Sequence, residues 1–141
     1  MKKRISVLIL LWASLLYPQS KMDIDDLVER GGLLYASNKD KPFSGSVTAT
    51  YDNGQKKLNG RYRNGIRNGK WTWWNLDGGT DSTGSYKNGL LNGRWEFYHG
   101  NGQLKARGDY RNGDGANRDE YGISASGRNG KWTFFHDTGN K

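Results

Sequence analysis

The side chains best suited to proton transfer or metal binding near neutral pH are two histidines, His99 and His136. Each falls six residues after a glycine, Gly93 or Gly130, and the matching places after Gly45 and Gly69 hold Tyr51 and Asn75. A place that accepts His, Tyr or Asn serves the entry to a turn rather than a reaction. The acids Asp52 and Asp77 sit in turn-rich sequence, and the pair Asp119-Glu120 lies in a polar, glycine-containing stretch. Cysteine is absent, which removes disulfides, thiol nucleophiles and thiolate metal sites. No serine has nucleophile-elbow surroundings, and no glycine run ends in the Lys-Ser/Thr of a phosphate loop. The expectation is a chain with no catalytic residues, no metal and no cofactor, hence not an enzyme.

What could position these side chains is a repeat. Gly45, Gly69 and Gly93 are 24 residues apart. The same register recurs in Gly60, Gly84 and Gly108, in Tyr62, Tyr86 and Tyr110, and in Asn64, Asn88 and Asn112. A fourth unit restarts at Gly130, one period plus 13 residues after Gly93, so an insertion falls within 114–127 and reads as a surface loop. After each repeat glycine, aromatic residues alternate with polar ones: Trp71 and Trp73, Trp95 and Phe97, Trp132 and Phe134. A period of two places each pair on one face of a strand. Asn-Gly occurs nine times, among them Asn53-Gly54, Asn64-Gly65 and Asn101-Gly102, and this dipeptide favours type I′ hairpin turns. So many glycines, at about 1 kcal/mol each, would not be tolerated in helices. The predicted fold class is all-β: an elongated antiparallel sheet of stacked 24-residue hairpins, in which each unit covers its neighbour's rings.

The stretches 60–71 (GRYRNGIRNGKW) and 84–95 (GSYKNGLLNGRW) resemble the core of the MORN repeat variant, and 108–113 (GDYRNG) begins another copy. The resemblance spans about residues 43–141 and implies MORN-type β-hairpins. Bacterial chains of this kind include the YwqK-family antitoxin-like proteins, which would imply a toxin as partner.

The two ends carry further expectations. Lys2, Lys3 and Arg4 precede an apolar run, Ile5 to Tyr17, of 13 residues. That is short of the roughly 20 needed to span a bilayer as a helix and suits a signal peptide over 1–20, with an uncleaved anchor as the alternative. Such a leader departs from an antitoxin that acts in the cytoplasm. It implies an exported chain: periplasmic, outer-surface or secreted, with no lipoprotein anchor because there is no cysteine. Setting those three cations aside lowers the net charge from +8 to +5, too little to imply a nucleic-acid partner. Residues 21–42 read as an N-terminal cap containing a hairpin with Gly31-Gly32 at its turn, or alternatively a helical turn through Ile24, Leu27 and Val28. The array fills 43–141, and its last unit stops just past a turn. Either the edge near Trp132 and Phe134 is open to self-association, or the reading frame is truncated.

Two rows of residues are candidate binding surfaces. Trp74, Tyr98 and Phe135 share a repeat position on the strand face opposite Trp71, Trp95 and Trp132. One of the two aromatic rows would be exposed, unless the hairpins curl enough to bury both. Arg63, Lys87 and Arg111 share another position, as do Lys70, Arg94 and Lys131, forming basic stripes or an ordinary solvated face. The expected function is a protein-interaction module of the cell envelope or exterior, antitoxin- or immunity-like. The alternative is a binder of anionic lipid headgroups or envelope polysaccharide through the basic and aromatic rows.

Overall fold

The computed structural model describes residues 20–140, so the expected leader lies outside the described residues except for Ser20. Among the described residues there are eleven strands: β1 (Lys21–Asp23), β2 (Leu27–Arg30), β3 (Leu33–Ala36), β4 (Gly45–Thr50), β5 (Lys56–Arg63), β6 (Ile66–Arg67), β7 (Gly69–Trp74), β8 (Thr80–Lys87), β9 (Leu90–Tyr98), β10 (Leu104–Gly113) and β11 (Arg128–Phe134). One sheet runs β1-β4-β5-β7-β8-β9-β10-β11, with β6 paired to β5, and every neighbour from β4 onward is antiparallel. The fold is therefore the all-β succession of hairpins that the repeat predicts. β1 is the exception, because it runs parallel to β4. A 3-10 turn over Ile24–Asp26 follows it, and β2 and β3 then form a separate hairpin. Both residues of its turn, Gly31 and Gly32, have positive φ.

The repeat glycines and tryptophans are two halves of one contact. On the inner face Gly60 lies beneath Trp71, Gly84 beneath Trp95 and Gly108 beneath Trp132. A Cβ at these glycines would come within 2.2, 2.0 and 2.3 Å of the indole. Only a residue without a side chain lets the ring lie this close to the strand. Each indole then donates its Nε1–H to a carbonyl one residue beyond that glycine: Arg61 at 3.1 Å, Ser85 at 3.0 Å and Asp109 at 3.1 Å. The repeat tyrosines meet these rings edge-on, with centroids 5.3 Å apart for Tyr62–Trp71 and Tyr86–Trp95. Trp71 is fully buried and Trp95 nearly so. The core is thus a strip of rings one layer deep.

Asn-Gly does not always make the same turn. Asn64-Gly65 and Asn88-Gly89 have positive φ at both residues, as type I′ requires. Asn53-Gly54 and Asn101-Gly102 do not, since only the glycine is positive there. Their loops hold three residues rather than two. Tyr51 N–H donates to Gln55 O at 2.8 Å and Gly54 N–H to Tyr51 O at 2.8 Å, while Asn53 Oδ1 accepts from Gln55 N–H. Loop length, not the dipeptide, selects the turn.

The insertion is also more than a surface loop. Ile123 and Ser124 are only 2% and 4% exposed. Tyr110 Oη donates to Ser124 O at 2.6 Å, and the Tyr121 ring lies 5.0 Å from Phe134. Residues 119–124 fold back over the end of the ring strip. The 22–36 segment does the same at the other end, packing Met22, Leu27 and Leu34 against the Trp71 cluster.

Candidate binding groove

The inner face is continuous in rings but unevenly covered. Trp73 stacks between Trp71 and Trp95 at 5.4 and 5.8 Å, and Phe97 lies 5.9 Å from Trp95 and 6.3 Å from Trp132. Trp73 and Phe97 are only half-buried, as is Trp132 at the end of the strip, whereas Trp71 and Trp95, which rest on Gly60 and Gly84, are covered. Between the insertion and the strands lies a groove of about 430 Å³ with these rings, Tyr86 and Leu91 on its floor and residues of 115–124 as its wall. That volume falls within the range of small-ligand and peptide-side-chain sites.

The groove is positively charged. Arg67, Lys105 and Arg118 line it, against a single carboxylate, Asp81, which accepts a hydrogen bond from Ser82 Oγ at 2.9 Å. Arg67 sits with its guanidinium 4.9 Å from the Trp71 ring and 5.4 Å from the Tyr86 ring. Its hydrogen bonds go to the Tyr86 and Tyr62 hydroxyls at 3.3 and 3.5 Å. Burial pulls the Arg67 pKa down, but these hydroxyls more than offset it and hold the guanidinium above its ordinary value. Burial raises the Tyr86 hydroxyl, with Arg67 and Arg118 opposing that rise.

Of the rows expected from the sequence, Tyr98 lines the groove and the other members project elsewhere. Trp74, Tyr98 and Phe135 are half-buried and do not stack on one another. Lys56 covers Trp74 at 5.8 Å, Arg107 covers Phe135 at 5.8 Å, and Tyr98 Oη donates to Glu96 Oε2 at 2.9 Å. They are separate strand-end rings rather than an exposed ladder, because a register shift between Trp73 and Trp74 breaks the alternation there. Arg63, Lys87, Arg111, Lys70, Arg94 and Lys131 are all exposed, and each alternates with an inner-face residue. They therefore share the outer face. Arg94 pairs with Asp109 at 3.4 Å across β9 and β10, but at 62% and 43% exposure the pair contributes little.

The histidines stay apart from the groove's floor. His99 and His136 each open a three-residue turn, and His99 Nε2 lies 2.9 Å from Phe135 O, joining two turns. Among the described residues no three His, Asp or Glu side chains gather as a metal site would need.

Asp119 holds the groove's wall in place. Its carboxylate accepts from Tyr121 N–H at 2.9 Å and Ile123 N–H at 3.0 Å, and it pairs with Arg128. Burial pushes the Asp119 pKa up, yet Arg128 and the two amides outweigh it, leaving it below the usual carboxylate value. A depressed folded-state pKa adds stability that is complete above the unfolded value, near 3.8, and is lost as pH falls through the lower folded value. The expected result is a loosening of 119–124 at pH below about 4. Hydrogen exchange at the Ile123 amide should show it, and Asp119→Asn should remove that acid step. Persistence of the same step in the variant would assign it to another group.

Residues 91–112, which hold Leu91, Trp95, Gly108 and Tyr110, match the family model of the MORN repeat variant. No curated protein and no solved structure matches the chain.

Proposed function

We propose that this MORN-repeat chain is an exported, non-catalytic interaction module that seats a segment of another protein in the aromatic groove. A MORN repeat supports a protein-interaction or membrane-binding module. The observation that carries the reading is the half-exposed floor of Trp73 and Phe97, walled by 115–124 and flanked by fixed cations. Aromatic residues in a recess are where binding energy concentrates when a partner excludes water from them. Export rests on the basic-then-apolar run from Lys2 to Tyr17. An antitoxin- or immunity-like role rests on the sequence resemblance, and in an exported chain the partner would be met in the envelope or outside the cell.

The test is retention of proteins from envelope extract by the full chain at low and high salt, repeated with Phe97→Ala after its melting temperature is checked. Retention that survives high salt and falls about tenfold in the variant is expected, equivalent to about 1.4 kcal/mol. A second reading is binding of anionic lipid or envelope polysaccharide by the outer face, where Lys70, Arg94, Lys131, Arg63, Lys87 and Arg111 are all exposed. Capture that disappears as salt rises, ignores Phe97→Ala and is abolished by Gln at Lys70, Arg94 and Lys131 would overturn the groove in favour of that face.

A further inference from the structure

Arg67 and Arg128 occupy the same repeat position, two residues before Gly69 and Gly130, and Leu91 holds it before Gly93. Their settings match closely. Arg128 lies 4.7 Å over Trp132 as Arg67 lies 4.9 Å over Trp71. Each rests on the indole that follows it in its own unit.

Their partners differ. Arg128 is met by Asp119, and it also donates to the Ser124 and Ile123 carbonyls at 3.0 and 3.2 Å. The chain segment that supplies these groups places Tyr121 on Phe134 and buries Ile123. Arg67 has only two neutral hydroxyls, and among the described residues neither ion pair includes it. A guanidinium removed from water without a carboxylate is costly to hold, and adding one restores a strong charge-assisted pair.

We propose that the groove binds an acidic–apolar peptide segment whose carboxylate pairs with Arg67, repeating at the second unit what 119–123 does at the last. The inference rests on the groove reading given above and names its ligand. The groove's other cations, Lys105 and Arg118, favour the same sign of charge. Apolar side chains after the acid would lie on Trp73 and Phe97, as Tyr121 lies on Phe134. The groove lining contains no Asn or Gln amide of the kind that pairs with sugar hydroxyls. A flat bilayer would reach the exposed outer cations more readily than a half-buried arginine behind a wall.

The probe is a pool of octapeptides with Asp third, Tyr fifth and Ile seventh, otherwise degenerate, set against the same pool with Asn third. Binding to the full chain is read by fluorescence polarisation. The acidic pool should bind about tenfold tighter, the scale of one charged hydrogen-bonded pair. Arg67→Gln should erase that difference, and Arg67→Lys should restore part of it. Because Arg67 packs on Trp71, the exposed Arg118→Gln serves as a second variant, expected to cut the preference without touching the core.

Equal binding of the two pools, still weakened by Phe97→Ala, would overturn the acidic ligand while leaving the groove reading standing. Binding of neither pool, with envelope capture also indifferent to Phe97→Ala, would overturn both. Preferential binding of vesicles containing anionic phospholipid, unaffected by Arg67→Gln, would replace the peptide with a membrane.

Discussion

Gly84→Ala is expected to lower the stability of the array by about 3 kcal/mol, the upper part of the range for overpacking a filled core. The single added methyl would lie 2.0 Å from Trp95 Cδ2, 2.2 Å from Cε2 and 2.4 Å from Cγ. Those are ring atoms of a side chain that is 3% exposed, and its Nε1–H is fixed on Ser85 O at 3.0 Å. The indole cannot retreat without losing that bond and pressing on Trp73 and Phe97. A fall in Tm of roughly 10–20 °C follows for a domain of this size. Gly100→Ala is the control: nothing lies within 4 Å of its added Cβ, so a change within about 0.5 kcal/mol is expected. Thermal melts of the two variants decide the matter. Equal small losses would mean that the glycine is conserved across the repeat for its backbone alone and not for the ring above it.

Trp95→Ala should cost about 3–5 kcal/mol and should do so in a particular way. Trp95 touches four rings, Trp73, Tyr86, Phe97 and Tyr110, and so joins the first two units to the last two. In a repeat array stability is carried by the contact between neighbours, and removing its central ring should uncouple the halves. Hydrogen exchange should then show amides of β10–β11 opening at lower free energy than those of β4–β5, where Trp71, Val47 and Phe43 form a cluster of their own. Trp95→Phe keeps a ring on Gly84 but loses the indole bond to Ser85 O, and should fall between wild type and alanine. Uniform loss of protection along the sheet would contradict a modular strip.

Much of this architecture was legible in the residues because each repeat position has one physical job. The 24-residue spacing of Gly60, Gly84 and Gly108 announces a hairpin repeat, while the indole that each glycine seats appears only in the folded chain. The spacing of Trp71 and Trp73 puts both rings on one strand face. The Gly31-Gly32 turn suggested the hairpin against the alternative of a helical turn through Ile24, Leu27 and Val28, and the folded chain has the hairpin with a short 3-10 turn over Ile24–Asp26 ahead of it. What escaped was whatever depends on loop length or on distant chain. Asn53-Gly54 and Asn64-Gly65 look alike, yet the first closes a three-residue loop and the second a two-residue loop. The insertion is polar enough to read as solvent-exposed, and nothing local reveals that Ile123 and Ser124 are buried by contact with Tyr110 and Arg128. Trp74, Tyr98 and Phe135 share a register but not a ladder, because each lies at a strand end and meets its own partner: Lys56 for Trp74, the Glu96 carboxylate for Tyr98 and Arg107 for Phe135. The equivalence of Arg67 and Arg128 lay in the spacing all along. Its meaning needed the position of Asp119, which only the folded chain provides.

The most direct test of the groove is to observe it while it is occupied. Tryptophan, arginine, lysine and isoleucine resonances of the full chain would be followed as the protein captured from envelope extract is added. The account predicts shifts at the half-exposed Trp73 indole, at Arg67 and at Ile123, with Lys70, Arg94 and Lys131 unmoved. Shifts confined to those three outer cations, with Trp73 and Arg67 silent, would contradict it.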